Sequence, residues 1–185
     1  MTEKLIVDKI LNSFVNLKGG IEVKKMVLSL LVDNSSGVLS RVSGLFSRRG
    51  YNIDSLSVGV TENPKYSRMT IAVSGDDLTL AQIAKQLNKL EDVVEITELK
   101  DGSSVCRELV LVKVKSSREE KQAIIAMTDV FRAKIVDVSV DSLMIELTGN
   151  ANKIEAFIGL LDGFEIESIV RTGLTGLTRG INQAD

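Results

Sequence analysis

Ile71-Ala-Val-Ser-Gly-Asp-Asp-Leu-Thr-Leu-Ala-Gln-Ile-Ala-Lys-Gln-Leu87 reads first as a strand and then as a helix. Ile71 and Val73 alternate with smaller residues, the period of a strand, and Leu80, Ile83, Ala84 and Leu87 then recur at helical spacing. The same passage returns 74 residues later as Ile145-Glu-Leu-Thr-Gly-Asn-Ala-Asn-Lys-Ile-Glu-Ala-Phe-Ile-Gly-Leu-Leu161. Ile71, Val73, Gly75, Leu80, Ile83, Ala84 and Leu87 fall on Ile145, Leu147, Gly149, Ile154, Phe157, Ile158 and Leu161. Two copies of one supersecondary unit explain this agreement.

Working outward, Met26–Val32 is apolar enough for a buried strand. Val38, Leu39, Val42, Leu45 and Phe46 form a helical stripe that Gly50 stops. Leu56, Val58 and Val60 alternate, and Glu62–Tyr66, with the only Pro, makes a turn to the strand containing Met69. Val93–Leu99 supplies a fourth strand, so the order is βαββαβ. The second half repeats it with Val105–Val114, Arg118–Phe131, Ile135–Val140, Leu143–Leu147, Ala151–Leu161 and Phe164–Val170. An offset of 85 carries Leu39, Val42, Leu45, Phe46 and Ile53 onto Ile124, Met127, Val130, Phe131 and Val138. The drop to 74 falls at the Pro64 hairpin. The expected class is α+β, with two tandem ferredoxin-like domains. Their expected bounds are 23–100 and 105–180, joined by a linker at 101–104 and followed by a tail at 181–185. Residues 1–22 form an amphipathic extension, with Val7, Ile10, Phe14 and Leu17 at helical spacing before a Gly19-Gly20 joint. Val27 and Leu31 oppose Leu28 and Leu30 on the first strand. An apolar second face of that kind predicts association with a second copy.

Composition excludes much chemistry. The 185 residues contain no His, which rules out imidazole acid–base catalysis, His-based zinc sites and Ser-His-Asp or Cys-His nucleophiles. A single Cys, Cys106, allows no internal disulfide, is read as a buried strand residue, and fits a cytoplasmic setting. Net charge is −2, with seven aromatics and no Trp, so neither nucleic acid nor an anionic membrane is an expected partner. No apolar run approaches the roughly 20 residues that span a bilayer, and no targeting segment is expected. No metal site is expected; Asp76-Asp77 is read as favouring the dipole of the helix that follows. Lys24-Lys25, Arg48-Arg49 and Arg118–Lys121 are read as solvated charge.

Asp33-Asn34-Ser35-Ser36-Gly37 opens the first helix of copy one, where unpartnered N–H groups and the helix dipole attract an anion. Gly37 lets a ligand approach the backbone, and Asn34 offers a donor and an acceptor, suited to an ammonium and a carboxylate together. By the offset of 85, copy two has Arg118-Glu-Glu-Lys-Gln122 there, and Asn52 becomes Asp137. The alternative is an N-cap by Ser35 or Ser36. Gly50-Tyr51-Asn52-Ile53 serves equally well as a helix stop and turn.

Asn34-Ser-Ser-Gly37-Val-Leu-Ser-Arg-Val42, Gly44-Leu-Phe-Ser-Arg-Arg-Gly50-Tyr-Asn-Ile53 and Ser67-Arg-Met-Thr-Ile71 resemble an ACT domain. More narrowly they resemble that of the small regulatory subunits of acetohydroxyacid (acetolactate) synthase. Arg107–Lys113, Phe131–Asp137 and Arg171-Thr-Gly-Leu-Thr-Gly-Leu-Thr-Arg-Gly180 are similar to the second domain of that family. The resemblance runs from about Met26 to Gly180, and the first 20 or so residues lie outside it. It implies a non-catalytic chain without cofactors of its own. Such a chain activates a large catalytic subunit carrying thiamine diphosphate, Mg and FAD, and confers feedback inhibition by valine in branched-chain amino-acid biosynthesis. It also implies a homodimer through side-by-side ACT domains. Asn34 would then hold the polar head of valine, Gly37 and Val38 would give backbone N–H groups to its carboxylate, and Asn52 and Ile53 would close the site from the neighbouring subunit.

Two other readings share the loop. One is a stand-alone ACT-type amino-acid sensor with another partner. The other is an acylphosphatase-like enzyme using Asp33–Gly37 with Arg41. An RNA-binding sheet is disfavoured, because Ile71 and Val73 stand where stacking rings would be needed.

Overall fold

Alternation settles β1 (Lys24–Asp33): Leu28, Leu30 and Val32 are all buried and face the helices. The computed structural model describes residues 23–180. The amphipathic segment expected over residues 1–22 and the tail from 181 lie outside the described residues. The chain divides into two units between Asp101 and Gly102.

In unit 1, β1 is followed by α1 (Val38–Arg49), β2 (Ser55–Val60), β3 (Tyr66–Gly75), α2 (Asp77–Leu87) and β4 (Val93–Glu98). The sheet order is β2-β3-β1-β4, antiparallel throughout, the topology of a split βαβ unit. Met69, Ile71 and Val73 of β3 join the β1 residues beneath Val42, Leu45 and Phe46 of α1 and Leu80, Ile83 and Leu87 of α2. Each such side chain contributes about 1.5–3 kcal/mol when fully buried. Gly50 ends α1 in the left-handed conformation at φ 67°, as its glycine predicts.

The opposite sheet face differs from the apolar one expected. Cross-strand register places Ser29, Ser57, Thr70 and Thr97 there between Val27 and Leu31, with the Arg68 guanidinium donating to Ser29 Oγ at 3.0 Å. The face mixes these hydroxyls with Val27, Leu31 and Ala72, and Ser29, Thr70 and Ala72 at its centre are buried. Ile71 and Val73 also lie on the helix side; the positions where stacking rings would be needed are Arg68, Thr70 and Ala72. No ring occupies them. Edge strand β2 carries neither a charge nor a proline, the residues that usually blunt an edge.

Unit 2 runs β5 (Ser104–Lys115), α3 (Glu120–Val130), β6 (Lys134–Val138), β7 (Ser142–Gly149), α4 (Ala151–Leu160), β8 (Ile166–Arg171) and β9 (Thr175–Thr178). Its sheet order, β6-β7-β5-β8, repeats that of unit 1. Ser104, expected in the linker, instead opens β5 and pairs with Thr178. β9 continues along the same edge of β5 as β8, lengthening the unit by a strand that alternation does not signal in Thr-Gly-Leu-Thr. Cys106 is half-buried rather than buried.

The offset of 74 holds in burial: Ile71, Val73, Leu80, Ile83 and Leu87 and their counterparts Ile145, Leu147, Ile154, Phe157 and Leu161 are all buried. The offset of 85 does not. It sends buried Leu45 onto Val130, which is 78% exposed, and exposed Leu39 onto buried Ile124. An offset of 82 matches the structure. It carries buried Leu28, Leu30, Val32 and Val42 onto buried Val110, Val112, Val114 and Ile124, and Asp33, whose N–H bonds Asp92 O, onto Lys115, whose N–H bonds Glu165 O. A periodic helix stripe fits several shifts nearly as well, so periodicity alone does not separate 82 from 85. Lys121 is not merely solvated charge: its ammonium donates to the Ser139 and Val140 carbonyls that close the β6–β7 turn. No described helix is long and apolar enough to cross a membrane.

Candidate functional site

The loop from Asp33 to Gly37 leaves β1 and enters α1 without a side-chain cap. The N-cap is Gly37 itself, left-handed at φ 87°, and neither Ser35 nor Ser36 caps the helix. That removes the capping alternative. The first backbone bond of the helix is Arg41 N to Gly37 O at 2.9 Å, leaving the earlier amides of α1 at the positive end of its dipole.

The loop is pinned on both sides. Asn34 Nδ2 donates to Pro64 O at 2.9 Å, Asn34 Oδ1 accepts from Ser67 Oγ at 3.1 Å, and Asn34 N donates to Lys65 O at 2.7 Å. The Pro64 hairpin therefore serves as a wall for the loop. One amide N–H and one lone pair of Asn34 remain beyond these bonds, by the ordinary capacity of the group. On the other side Asp33 N donates to Asp92 O at 2.9 Å. The Asp92 carboxylate takes a forked pair from Arg41, Nε to Oδ2 at 2.5 Å and Nη2 to Oδ1 at 2.7 Å. The Arg41 hydrogen bond holds the Asp92 carboxyl below its ordinary 3.8, against the opposing effect of burial. A Cβ built on Gly37 would lie 2.9 Å from Arg41 Nη1. In sequence Arg41 enters only the acylphosphatase-like reading, one helical turn beyond the loop. Its partner, 51 residues away, has no local signal.

Val38 is a core residue, 2% exposed, so only its backbone can face a ligand, and Leu39 is the exposed apolar neighbour. Asn52 and Ile53 lie elsewhere. Asn52 Nδ2 donates to Asp54 Oδ1 at 2.9 Å, Asp54 Oδ2 accepts from Ser74 Oγ at 2.6 Å, and Ile53 packs on the core. In the sheet, Asp33 is paired with Tyr66, whereas Ser55 is paired with Ala72. Six residues of strand, about 20 Å at 3.4 Å per residue, separate these levels. One unit therefore cannot bring Asn34 and Asn52 onto the same small ligand.

The second copy closes the equivalent position with its own side chains. Ser117 N donates to Glu120 Oε2 at 2.7 Å and Glu120 N donates to Ser117 Oγ at 3.3 Å, a reciprocal capping box. The Ser117 backbone N–H holds the Glu120 carboxyl below its usual range. An anion already occupies that helix start. The charge cluster of unit 2 lies elsewhere: Glu108, 5% exposed, takes a fork from Arg171, which also reaches Glu155 at 2.7 Å. Hydrogen bonding to Glu108 raises the Arg171 pKa. Among the described residues no group of three or more His, Cys, Asp or Glu is placed to hold a metal.

These features define a protein of two tandem ferredoxin-like domains whose first is an ACT domain. Residues 28–95 match the family described as the AHAS small subunit-like ACT domain, and residues 107–180 match that described as the small subunit of acetolactate synthase. The chain belongs to the acetolactate synthase small-subunit family. It is 50% identical over 155 residues to the probable acetolactate synthase small subunit of Methanothermobacter thermautotrophicus, covering 83% of this chain and 92% of that one. It is 45% identical over 157 residues to the acetolactate synthase isozyme 3 small subunit of Salmonella typhimurium, covering 84% and 96%. The crystal structure of the acetolactate synthase small subunit from Thermotoga maritima is similar at a TM-score of 0.78 and 44% identity, covering 85% of this chain and 99% of that chain.

Proposed function

We propose that the chain is a non-catalytic regulatory subunit that raises the activity of the large catalytic subunit of acetolactate synthase and makes it sensitive to valine, in the cytoplasm. Thiamine diphosphate, Mg and FAD would belong to that partner. Membership of the small-subunit family supports the partnership. The contrast between the two helix starts carries the effector reading. In copy one the amino end of α1 has no cap and no acidic residue in its first turn. In copy two Glu120 fills the same end. A carboxylate ligand completes the first and is redundant at the second.

The separation of Asn34 from Asn52 supports a shared site. A two-fold axis that pairs two β2 edges antiparallel sets the Asn52 end of one ACT domain beside the Asn34 end of the other. Asn34, Gly37 and Val38 then hold the amino acid from one protomer, and Asn52 and Ile53 approach from its partner. Leu39 and Ile53 suit a small branched side chain, although one methylene is worth only about 1–3 kcal/mol in such a pocket.

Reconstitution with a thiamine-dependent large subunit, assayed with and without valine, tests this reading. Higher activity on mixing and its suppression by valine are expected. A chain that never co-purifies with that subunit points instead to a stand-alone sensor. The acylphosphatase reading loses its cationic group, because Arg41 is engaged with Asp92. Replacing Asn34 or Asn52 by Ala should weaken valine binding in calorimetry, each by itself; equal affinity in either variant removes that residue from the site.

A further inference from the structure

We propose that Arg41 and Asp92 are positioning residues for the effector loop: their fork sets the amino end of α1 in the conformation that receives the ligand carboxylate. The proposal rests on the effector reading above. Asp92 holds both ends of the five-residue loop. Its carbonyl takes the amide of Asp33 at the entrance at 2.9 Å, and its carboxylate takes Arg41, whose own amide is bonded to the Gly37 carbonyl at the exit. The chain from Asp33 through Gly37 to Arg41 and back to Asp92 is therefore a closed ring. Nη1, the one guanidinium nitrogen outside the fork, lies against Gly37 on the side where a Cβ would stand. It backs the glycine in its left-handed turn.

Stability alone accounts poorly for a cation at this position, although the Asp92 side chain is only 20% exposed and the fork is bidentate. A cation in the first turn of a helix opposes the dipole, and an exposed ion pair contributes little to folding; the Arg41 side chain is 49% exposed. The duplicate acts as a control. At the offset of 82 the counterpart of Arg41 is Ala123, and Glu165, whose carbonyl takes the Lys115 amide as that of Asp92 takes Asp33, gives its carboxylate to Lys115 instead. The copy whose helix start is filled by its own carboxylate has lost the fork. A lysine cannot substitute, since it offers one point of contact in place of two parallel bonds and leaves nothing against Gly37.

The test uses the full chain reconstituted with its large subunit, comparing Arg41→Lys, Asp92→Asn and Gly37→Asp with the parent. Arg41→Lys and Asp92→Asn should raise the valine concentration for half-inhibition about tenfold, the size of a typical coupling between sites. Maximal activation and melting temperature should stay at parental values. An unchanged valine response in both, alongside loss of response in Gly37→Asp, overturns the positioning role and leaves the effector site standing. A normal response in Gly37→Asp overturns the effector site itself. A fall in melting temperature or activation that parallels the loss of valine response in both variants shows a merely structural pair and also overturns the proposal.

Discussion

Replacing Gly37 by Asp places a carboxylate where the effector carboxylate is proposed to lie, and the structure gives the size of each consequence. A side chain at φ 87° carries a left-handed penalty of about 1–2 kcal/mol for most residues, less for Asp and Asn, which visit that region more readily. The new Cβ meets only Arg41 Nη1 at 2.9 Å, the far end of a flexible side chain that can swing aside. An acidic group at a helix start recovers about 0.3–1 kcal/mol. The domain should therefore stay folded, with a net change within about 1 kcal/mol, or about 4–8 °C in melting temperature. Valine faces a larger obstacle. Two carboxylates about 4 Å apart repel by about 1 kcal/mol in water and about 4 kcal/mol at the effective dielectric near a protein surface, a loss of about 5- to 1,000-fold in affinity. The assay is a valine titration of the reconstituted enzyme, with Gly37→Asn as the uncharged control of the same shape. Activation should survive in both variants, with sensitivity falling far more in Asp than in Asn. Parental inhibition in the Asp variant refutes the site, and equal loss in both refutes the electrostatic argument.

Val60→Lys puts a charge on the outer end of β2, where Val60 is 62% exposed. It should lower the mass measured by sedimentation towards that of a single chain while leaving the melting temperature unchanged, and an unaltered mass excludes pairing through this edge. Arg171→Ala removes the forked partner of buried Glu108. Because Arg171 is itself 37% exposed, the cost should be about 2 kcal/mol rather than the 3–5 of a fully buried pair. Urea denaturation measures it, and adding Glu108→Leu should restore most of the loss. The Asp92 carboxyl, held below 3.8 by Arg41, contributes its fork fully above that value and loses it only as pH falls through the lower folded value. Valine affinity measured by calorimetry should therefore be equal at about pH 7 and about pH 5. A fall between them contradicts an ionised, paired Asp92.

The strands and helices were legible because their cores obey simple periods. Leu28, Leu30 and Val32 alternate, and Leu80, Ile83 and Leu87 follow one helix face. The duplication was legible too, but its register was not. In α3 the half-buried Met127 and the buried Thr128, with half-buried Phe131 just past its end, share the face of Ile124, so hydrophobicity alone cannot choose between offsets of 82 and 85. Hydrogen bonds at the strand ends choose it, and they leave no trace in composition. The Asp33–Gly37 loop was visible as a polar, glycine-ended turn. Its supports were not, since Pro64, Ser67 and Asp92 lie 30 to 59 residues beyond the loop residues they bond. The capping box of copy two was readable as Ser117-Arg-Glu-Glu120 and was masked by the three-residue slip.

About 20 Å of sheet between the two asparagines makes the proposed pocket depend on protein concentration as well as on the amino acid. Dilute subunits that have come apart each carry half a receptor and should be deaf to valine, whatever the intrinsic affinity of the halves. By mass action the amino acid then acts as a glue, tightening the dimer by the same free energy with which the dimer tightens on it. Sensitivity to the end product would thus rise with the amount of subunit in solution, a second dial on the same switch.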